Sequence, residues 1–295
     1  MSAEHGSGEG TIRSFDNLGP TYYKVSMPEL PEVEAVCRKL RDEAFGQCIR
    51  SARILRLGIV HPQSVDQVEQ SVAGRRILAV ERRAKNIFLR LSGDVAIRIH
   101  LRMTGNLYAV PDVRFHPPST RAYLEFPSHR GILFTDPRAL GKLHLHTTQE
   151  VEGILANLGP EPLSNEFTAE WFYAEAKRSR LPAKLFLMDQ RRIAGLGNIY
   201  AAEVLFRARI HPGRVVSRLS RPRLFALHAA VVQVLQEAVE SACHAYSGPG
   251  HFGEAESFSC FVYDREDRPC QVCGRKIRRI PQGGRSTYYC PGCQR

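Results

Sequence analysis

The sequence predicts a multidomain α+β protein: an N-terminal β-sandwich with a flanking helix, then a helix–two turns–helix domain, then a C-terminal zinc-finger hairpin. Three features of the chain predict this order. Hydrophobic residues first alternate with polar ones, as in half-buried strands, and later recur at the spacing of amphipathic helices. The chain then ends in two closely spaced pairs of cysteines.

The flanking helix is expected over residues 31–45. Val33, Val36 and Leu40 recur there at helix spacing, and Pro31 suits a first helical turn. This helix directly precedes the region of alternating residues, so it would flank the sandwich.

Residues 50–148 have the pattern of strands. The segment "DVAIRIHLRM" alternates cleanly, and its two faces are Val95, Ile97, Ile99, Leu101 and Met103 against Arg98, His100 and Arg102. Turn signals such as "SGD", "TGN", "HPPS" and "TDPR" separate the strands. We therefore expect a mostly antiparallel domain, folded as a two-layer sandwich.

Helical spacing returns after residues 158–168, a linker rich in Pro, Gly and Ser. Residues 184–212 are predicted to form a helix, the turn "AGLGN" and a second helix. Taken alone, this stretch favours a plain helical hairpin, and a helix–two turns–helix element is the functional alternative. Asn198 stands where the second helix starts, so its amide would cap that helix or bind a phosphate. Residues 223–242 form one long amphipathic pattern that completes this domain.

The cysteine pairs predict a structural metal site. Each CxxC pair can place two thiolates on one ion, and the spacer between the pairs fits a β-hairpin. One structural, tetrahedral Zn²⁺ is expected, and a catalytic zinc is not, because cysteines fill all four positions. Disulfides are the alternative, disfavoured in a reducing compartment. The predicted zinc ligands are Cys270, Cys273, Cys290 and Cys293, and the predicted buried free thiols are Cys37, Cys48, Cys243 and Cys260.

The charge balance indicates a polyanionic partner. The chain has 41 Lys and Arg against 30 Asp and Glu, a formal net charge of +11. Such a field favours nucleic acid above all, although a merely basic protein would show the same balance. The hairpin between the cysteine pairs is itself basic, which suits phosphate contacts as well as solvated loop charge. No apolar run is long enough to cross a membrane, and the first 26 residues lack the apolar core of a secretory signal.

Several motifs occur in order along the chain: "MPELPEVEAV", "RRAKNIFLRL", "HLRMTG", "TDPR", "MDQRRIAGLGNIYAAEVLF", "RIHPGR" and "PCQVCG…GGRSTYYCPGCQ". Together they resemble the bacterial formamidopyrimidine-DNA glycosylase family, over nearly everything from Met27 to Arg295. The "PELPE" stretch favours this branch over the related endonuclease VIII branch, which usually begins with PEGPE. The resemblance implies a bifunctional DNA glycosylase and AP lyase of base excision repair. It further implies a monomer that binds double-stranded DNA with damaged bases or abasic sites, in a bacterial-type cytoplasm and nucleoid, with no redox or nucleotide cofactor.

The resemblance divides the chain into parts with expected roles. These are an extension that is disordered or has a misassigned start (1–26), a catalytic β-sandwich domain (27–157), a linker (158–168), a helix–two turns–helix DNA-binding domain (169–246), a flexible loop (247–259) and a zinc finger (260–295).

By the same resemblance, Pro28 is the nucleophile, acting through the secondary amine of an N-terminal proline. An α-amino group has a pKa near 8, against about 10.4 for a lysine, so a useful fraction is neutral at pH 7. Attack on C1′ expels the base and leaves a cationic iminium, an electron sink that drives β- and δ-elimination. Glu29 would be the general acid and base. Lys85 and Arg285 complete the implied catalytic set as phosphate-gripping cations.

The resemblance also implies contacts with the DNA itself. His100, which lies on the polar face of its predicted strand, is expected to bind phosphate. Extrusion of a damaged nucleotide leaves a hole that must be filled, usually by an apolar wedge and an arginine. Met103 is a candidate wedge, although its place on the apolar strand face suits core packing equally. The full set of implied DNA contacts is His100, Asn198, Lys184, Met103, Arg138 and Leu140.

The chain departs from the family pattern in two places. The family stretch is roughly DPRRFG, whereas this chain has "DPRALG", with Ala139 for an arginine and Leu140 for a phenylalanine. Residues 244–262 match poorly the loop that covers an oxidised purine in the family. Oxidised purines (8-oxoguanine and formamidopyrimidines) are the expected substrates, and oxidised pyrimidines are the alternative.

The residues before Met27 bear directly on the chemistry. An amide nitrogen cannot be the nucleophile, because its lone pair is delocalised into the peptide bond. We therefore expect the functional polypeptide to begin at Met27, with the methionine then removed. One alternative is a catalytically silent DNA-damage-binding protein that keeps the extension. Another is a zinc-ribbon transcription or topoisomerase accessory factor, which explains the cysteines and charge but not "PELPE".

Overall fold

The structure is a computed structural model, and it describes residues 28–248, 251–252 and 258–295. The predicted N-terminal extension, residues 1–26, lies outside the described residues. So do residues 249–250 and 253–257 of the predicted flexible loop.

The N-terminal part is a helix followed by strands that form two antiparallel sheets. One four-stranded sheet has the order β2-β3-β4-β8 and the other the order β1-β6-β7-β5, which confirms the predicted two-layer sandwich. Sequence reasoning missed one short helix among the strands. The elements are α1 (Leu30–Ala44), β1 (Ser51–Ile54), α2 (Val65–Val72), β2 (Ile77–Arg83), β3 (Asn86–Leu91), β4 (Val95–His100), β5 (Asn106–Val110), β6 (Thr120–Glu125), β7 (Gly131–Thr135), β8 (Lys142–His146) and α3 (Thr148–Leu155).

Helix α1 forms where the sequence predicts a helix, and its apolar face belongs to the sandwich core. Pro31 lies in its first turn, and a capping box joins Glu29 to Glu32. Burying each large side chain of this face stabilises the fold by about 1.5–3 kcal/mol. The core that α1 shares with both sheets includes Val33, Val36, Leu40, Ile87, Leu89, Ile97, Ile99, Ile132 and Phe134.

Strand β4 is shorter than its alternating pattern predicts. Ile97 and Ile99 are buried as expected, but the strand ends at His100. Arg102 has a φ of 58°, in the left-handed region, so the chain turns before Met103. The prediction that Met103 lies on the apolar face of this strand is therefore wrong, because that residue lies half-buried in a turn.

The second part is helical, with a core of its own. Its long last helix includes the whole segment predicted from the sequence. The first turn of α1 enters this core through Leu30, so the start of the sandwich domain is anchored in the helical domain. The helices are α4 (Ala169–Lys177), α5 (Ala183–Met188), α6 (Asn198–Arg207) and α7 (Arg221–Ala245).

The last four strands form two antiparallel pairs, and the second pair is the hairpin predicted between the two cysteine pairs. A short pair, β9 (Tyr246–Gly248) and β10 (His251–Phe252), follows α7, and β11 (Arg278–Gln282) pairs with β12 (Arg285–Tyr289). Gly283 and Gly284 connect the latter two with φ of 59° and 72°. Two central residues at positive φ make a turn whose twist matches antiparallel strands, and glycine adopts it without strain. Phe206 of α6 packs in one cluster with Val262 and Ile277, so the hairpin module rests on the helical domain.

Two further predictions concern the cysteines and the absence of membrane-spanning segments. All eight cysteines are free thiols, but only Cys37 of the four outside the pairs is buried, and Cys48, Cys243 and Cys260 are half-buried. None of the helices in the described part of the chain is long and apolar enough to cross a membrane.

Candidate active site

The carboxylate of Glu29 lies on the N-terminus of helix α6. Its Oε2 accepts the backbone N–H of Gly197 at 2.7 Å, and Oε1 accepts that of Ile199 at 3.0 Å. Both donors are among the four N–H groups that a helix start leaves unpaired, and the helix dipole favours a negative charge there. Glu29 is buried, next to the half-buried Pro28. The first residues of the sandwich domain therefore meet the helical domain at one point.

Lys85 reaches the same point from the turn between β2 and β3. A Cβ atom at Gly197 would clash with both the Glu29 carboxylate and the Lys85 Nζ, so the three groups meet at the bare glycine backbone. Burial lowers the pKa of Lys85, and the nearby Arg285 lowers it further, while Glu29 acts in the opposite direction. A lysine, a carboxylate and Pro28 thus share one small region.

The turn that carries Lys85 is held by Glu161, a residue that sequence reasoning assigned only to a linker. Glu161 Oε1 accepts the N–H of Ala84 at 2.6 Å and pairs with Arg83 at 2.8 Å. Its Oε2 pairs with Arg82 at 2.7 Å. The linker therefore fixes the position of Lys85 relative to the helical domain.

A second buried carboxylate, that of Glu32, contacts the backbone of Glu29. Glu32 Oε2 accepts the N–H of Glu29 at 2.8 Å, and Oε1 accepts the Tyr200 hydroxyl. Burial raises the pKa of Glu32, although both hydrogen bonds oppose that rise. Tyr200 belongs to α6, so this pair joins the same two elements that Glu29 joins.

Arg285 follows the glycine turn of the terminal hairpin and is exposed. The hairpin tip packs on α5, where a Cβ atom at Gly283 would lie 2.6 Å from Leu185 Cδ2. The positive charge of Arg285 lowers the pKa of both Lys85 and Lys184.

Lys184 has a setting that differs from the predicted DNA contact. Its side chain is fully buried, and Nζ donates to the Ser286 carbonyl at 3.0 Å and to Thr287 Oγ1 at 2.6 Å. Burial lowers its pKa to about 8, with Arg285 as the second cause. A direct contact with DNA would require this amine to leave both acceptors. Within the protein it ties α5 to the residues directly after Arg285.

His100 lies half-buried at the end of β4. Its Nδ1 accepts the backbone N–H of Arg102 at 3.0 Å, so in the neutral ring the proton belongs to Nε2. The pKa of His100 is lowered to about 4. Burial of the ring is the main cause, and the positive charges of Arg102, Arg98 and Lys85 act in the same direction. The ring is therefore a neutral N–H donor at pH 7, surrounded by cations.

Asn198 begins α6 but does not cap it. The N-cap residue is Gly197, and the Glu29 carboxylate occupies the place that the predicted amide cap would take. Asn198 Oδ1 is buried with no partner among the described residues. Glu203, also on α6, orders the Tyr263 segment by accepting the backbone N–H groups of residues 261–263 at 2.8–3.0 Å.

The loops that carry the predicted wedge residues are joined by Asp136. This buried carboxylate accepts the N–H groups of Leu140 and Gly141, each at 2.7 Å, and the hydroxyl of Thr104. Thr104 follows Met103 directly, so the turn of Met103 is fixed to the loop that exposes Arg138 and Leu140. The "TDPR" motif suggested a turn; the role of its aspartate was missed, because it depends on a contact between distant loops.

The two cysteine pairs converge as a metal site requires. The Sγ atoms of Cys270 and Cys293 are 3.8 Å apart, those of Cys273 and Cys290 are 3.4 Å apart, and all four lie within 4.8 Å of one another. Four thiolates at about 2.3 Å from a tetrahedral Zn²⁺ would be separated by about 3.8 Å. The donor set therefore fits one structural zinc, which confirms the predicted cofactor.

These features define a class: a zinc-finger protein in which a β-sandwich presents a proline–glutamate pair to a helix–two turns–helix domain. Family models agree part by part. Residues 27–143 match the formamidopyrimidine-DNA glycosylase N-terminal domain, residues 158–247 match the H2TH domain of that glycosylase, and residues 268–295 match the zinc finger found in FPG and IleRS.

Whole-chain comparisons give the same result. The formamidopyrimidine-DNA glycosylase of Chloroflexus aurantiacus is 40% identical over 273 residues, covering 91% of this chain and 98% of that protein. The Thermus thermophilus enzyme of the same name is 40% identical over 280 residues, with the same coverage. The solved complex of Lactococcus lactis Fpg with abasic-site DNA has a TM-score of 0.81 and 29% identity, covering 90% of this chain and 99% of that chain. The chain belongs to the formamidopyrimidine-DNA glycosylase family.

Proposed function

We propose that this chain removes oxidised purines from double-stranded DNA and then cuts the strand, with Pro28 as nucleophile and Glu29 as general acid and base. The observation that carries the proposal is the position of Glu29. Its carboxylate is fixed by two backbone N–H groups of α6, directly beside Pro28 and within the reach of Lys85. A nucleophile and its proton carrier are thus attached to the domain that would hold the DNA.

The first step forms one bond and breaks one. The lone pair of a free Pro28 amine attacks C1′, the glycosidic bond breaks, and the base leaves with the bonding electrons and takes up a proton. Glu29 handles proton transfer between the amine, the sugar and the leaving group. The product of this first step has the Pro28 nitrogen, which has lost its proton, bound to C1′ of the closed sugar. The C1′–O4′ bond then breaks, O4′ takes up a proton from Glu29, and the nitrogen lone pair forms the C1′=N⁺ bond of an iminium.

The iminium then drives strand cleavage. Loss of a C2′ proton pushes electrons toward the cationic nitrogen, and the 3′-phosphate leaves; a second elimination releases the 5′-phosphate. Lys85 and Arg285 would hold the phosphates next to the reacting sugar, and the neutral His100 would donate its Nε2–H to a phosphate oxygen. Zinc, when bound, supplies no reactive group and holds the hairpin that carries Arg285.

The substrate class rests on two kinds of support. Solved structures similar to this chain include Lactococcus lactis Fpg bound to DNA containing Fapy-dG, at a TM-score of 0.80. The exposed Arg138 and Leu140 are available to enter a duplex and replace an extruded nucleotide, together with Met103. The enzyme would act as a monomer on bacterial DNA in the cytoplasm, in association with the nucleoid.

Cleavage of labelled duplexes by the Glu29→Gln variant of a chain that begins at Pro28 tests this assignment. An amide cannot carry the proton, so cleavage of 8-oxoguanine DNA should fall by about a hundredfold or more. Binding to DNA with a reduced abasic analogue should change only a few-fold. The exposed Glu170→Gln serves as the matched control and should cleave normally. Normal turnover by Glu29→Gln would remove Glu29 from the mechanism.

A further inference from the structure

The helix–two turns–helix domain carries a second basic surface, outside the site described above. We call this surface the arginine ridge. Its members are all exposed, and they lie in two segments, one at the end of α4 and one that leads into α7. They are Arg178, Arg180, Arg214, Arg218 and Arg221.

Backbone hydrogen bonds place the two segments of the arginine ridge side by side. The N–H of Val216 donates to the Leu181 carbonyl at 3.0 Å, and Pro182 forms an antiparallel bridge with Val215. Antiparallel pairing in this register puts Arg180 opposite the residue before Arg218. The two segments therefore lie side by side, and all five arginines belong to them or to the helix ends next to them.

The charge of the arginine ridge is largely uncompensated. The sequence has no acidic residue between Arg209 and Gln236. Arg178 pairs with Glu175 at 3.2 Å, whereas Arg180, Arg214 and Arg218 form no ion pair with any residue that the structure describes. Like charges held together without acidic partners repel one another, so the arrangement favours an anionic partner.

Arg221 is held without use of its hydrogen-bond donors. Its guanidinium lies 5.5 Å from the ring centre of Tyr173 and 5.1 Å from that of Phe225. Stacking on aromatic faces fixes an arginine while leaving its N–H groups free, which suits a contact with phosphate oxygens.

Hydrogen bonds through buried residues connect the arginine ridge to the hairpin that carries Arg285. The carbonyl of Arg214 accepts the N–H of Ala183 at 2.8 Å, one residue before Lys184. Lys184 in turn binds the Ser286 carbonyl, next to Arg285. DNA held at Arg285 would thus lie near the arginine ridge.

We propose that the arginine ridge binds the phosphate backbone of one duplex arm flanking the lesion. This inference rests on the proposed function, because it takes the lesion to be held at Pro28. Duplex DNA carries one negative charge per about 1.7 Å of axis, so a strip of several arginines can neutralise several phosphates beyond those at the lesion. The partner is recognised by charge and spacing, not by base sequence.

The test combines a triple variant with asymmetric duplexes. Arg180→Ser, Arg214→Ser and Arg218→Ser are made together and compared with the native chain on DNA carrying an abasic analogue. One duplex has short arms of about six base pairs on both sides, and two others extend one arm to about twenty. Of the two extended duplexes, only one should bind the native chain more tightly than the short duplex, by about tenfold. The triple variant should lose that gain. On that duplex, the slope of log binding constant against log salt concentration should be shallower for the triple variant by about two to three.

Two controls separate the possible failures. Arg50→Ser, Arg56→Ser and Arg130→Ser remove three exposed arginines beside the opposite sheet edge at β1 and should leave binding unchanged. Arg→Lys replacements at the three ridge positions keep the charge and should retain most of the gain. Equal binding of all duplexes by the triple variant and the native chain would overturn the arginine ridge. Failure of a chain that begins at Pro28 to cleave a short duplex carrying 8-oxoguanine would instead overturn the proposed function.

Discussion

At the scale of single residues, the site depends on groups that touch across domains. Glu29 completes the start of α6, Tyr200 of α6 binds Glu32, and Lys184 binds the hairpin. Each of these contacts satisfies a buried polar group, and an unsatisfied one costs about 1–3 kcal/mol. Changes at these positions should therefore affect catalysis and domain docking together.

Gly197→Ala should impair catalysis and domain docking together. The backbone of Gly197 is extended, so alanine is not strained there, but its Cβ would clash with Glu29 and Lys85. Cleavage of lesion DNA should fall at least tenfold, and the free energy of unfolding should fall by about 1–3 kcal/mol. Gly153→Ala is the matched control, since its Cβ would meet nothing within 4 Å. Equal activity of both variants would show that the Glu29–Lys85 contact is dispensable.

His100 should make the fold sensitive to acid. Burial lowers its folded pKa to about 4 from 6.5, so between these values the unfolded chain binds more protons. The contribution of neutral His100 to the free energy of unfolding is complete above pH 6.5 and is lost as the pH falls toward 4. Relative to His100→Gln, the native chain should lose about 2 kcal/mol more unfolding free energy between pH 7 and pH 4.5. Denaturant melts measure this, with the exposed His116→Gln as control; parallel pH curves for native chain and His100→Gln would contradict it.

At the scale of elements, short connections position the functional side chains. The glycine turn presents Arg285, the turn held by Glu161 presents Lys85, and Asp136 joins the loops of Met103 and Leu140. The sequence predicted turns at "TGN" and "TDPR", next to Met103 and Leu140, and a hairpin around Arg285, but it gave no turn signal at Lys85. It could not predict which distant loops they contact, because that depends on the packing of both sheets.

Asp136→Ala should separate base removal from strand cleavage. The change leaves two buried N–H groups and the Thr104 hydroxyl without their acceptor, which should cost about 2–4 kcal/mol of stability. The wedge loops would then lose their order, so 8-oxoguanine removal should fall, while cleavage at a preformed abasic site should persist. The exposed Asp42→Ala, on the surface of α1, is the control. An equal loss on both substrates would contradict this division of roles.

At the scale of the whole molecule, the zinc finger should act on DNA binding through the hairpin. Chelation of the metal should release about one zinc per chain and reduce affinity for abasic-site DNA, because Arg285 would lose its support. Cys290→Ser should behave like the chelated protein, whereas Cys48→Ser should behave like the native chain. Zinc analysis and binding isotherms measure both effects. Unchanged affinity after complete zinc loss would remove the finger from the DNA interface.

The overall architecture was largely predictable from the sequence. Alternation predicted the sandwich, helix spacing predicted α1 and α7, and the CxxC pairs predicted the zinc site. The missed site features, unlike the short helix α2, share one cause. The roles of Glu161, Glu203 and Asp136 and the burial of Lys184 arise from contacts between segments far apart in the chain, and no local pattern encodes them.

The central claim is that Pro28 reacts through a free amine. Borohydride trapping on duplex DNA with 8-oxoguanine opposite cytosine tests it most directly, comparing the full chain with a chain that begins at Pro28. We expect a covalent adduct from the shorter chain only, absent from its Pro28→Gly variant. An adduct of equal yield from the full chain would contradict the claim. So would the absence of any adduct from the shorter chain on this lesion and on an abasic site, which would favour a DNA-damage-binding protein instead.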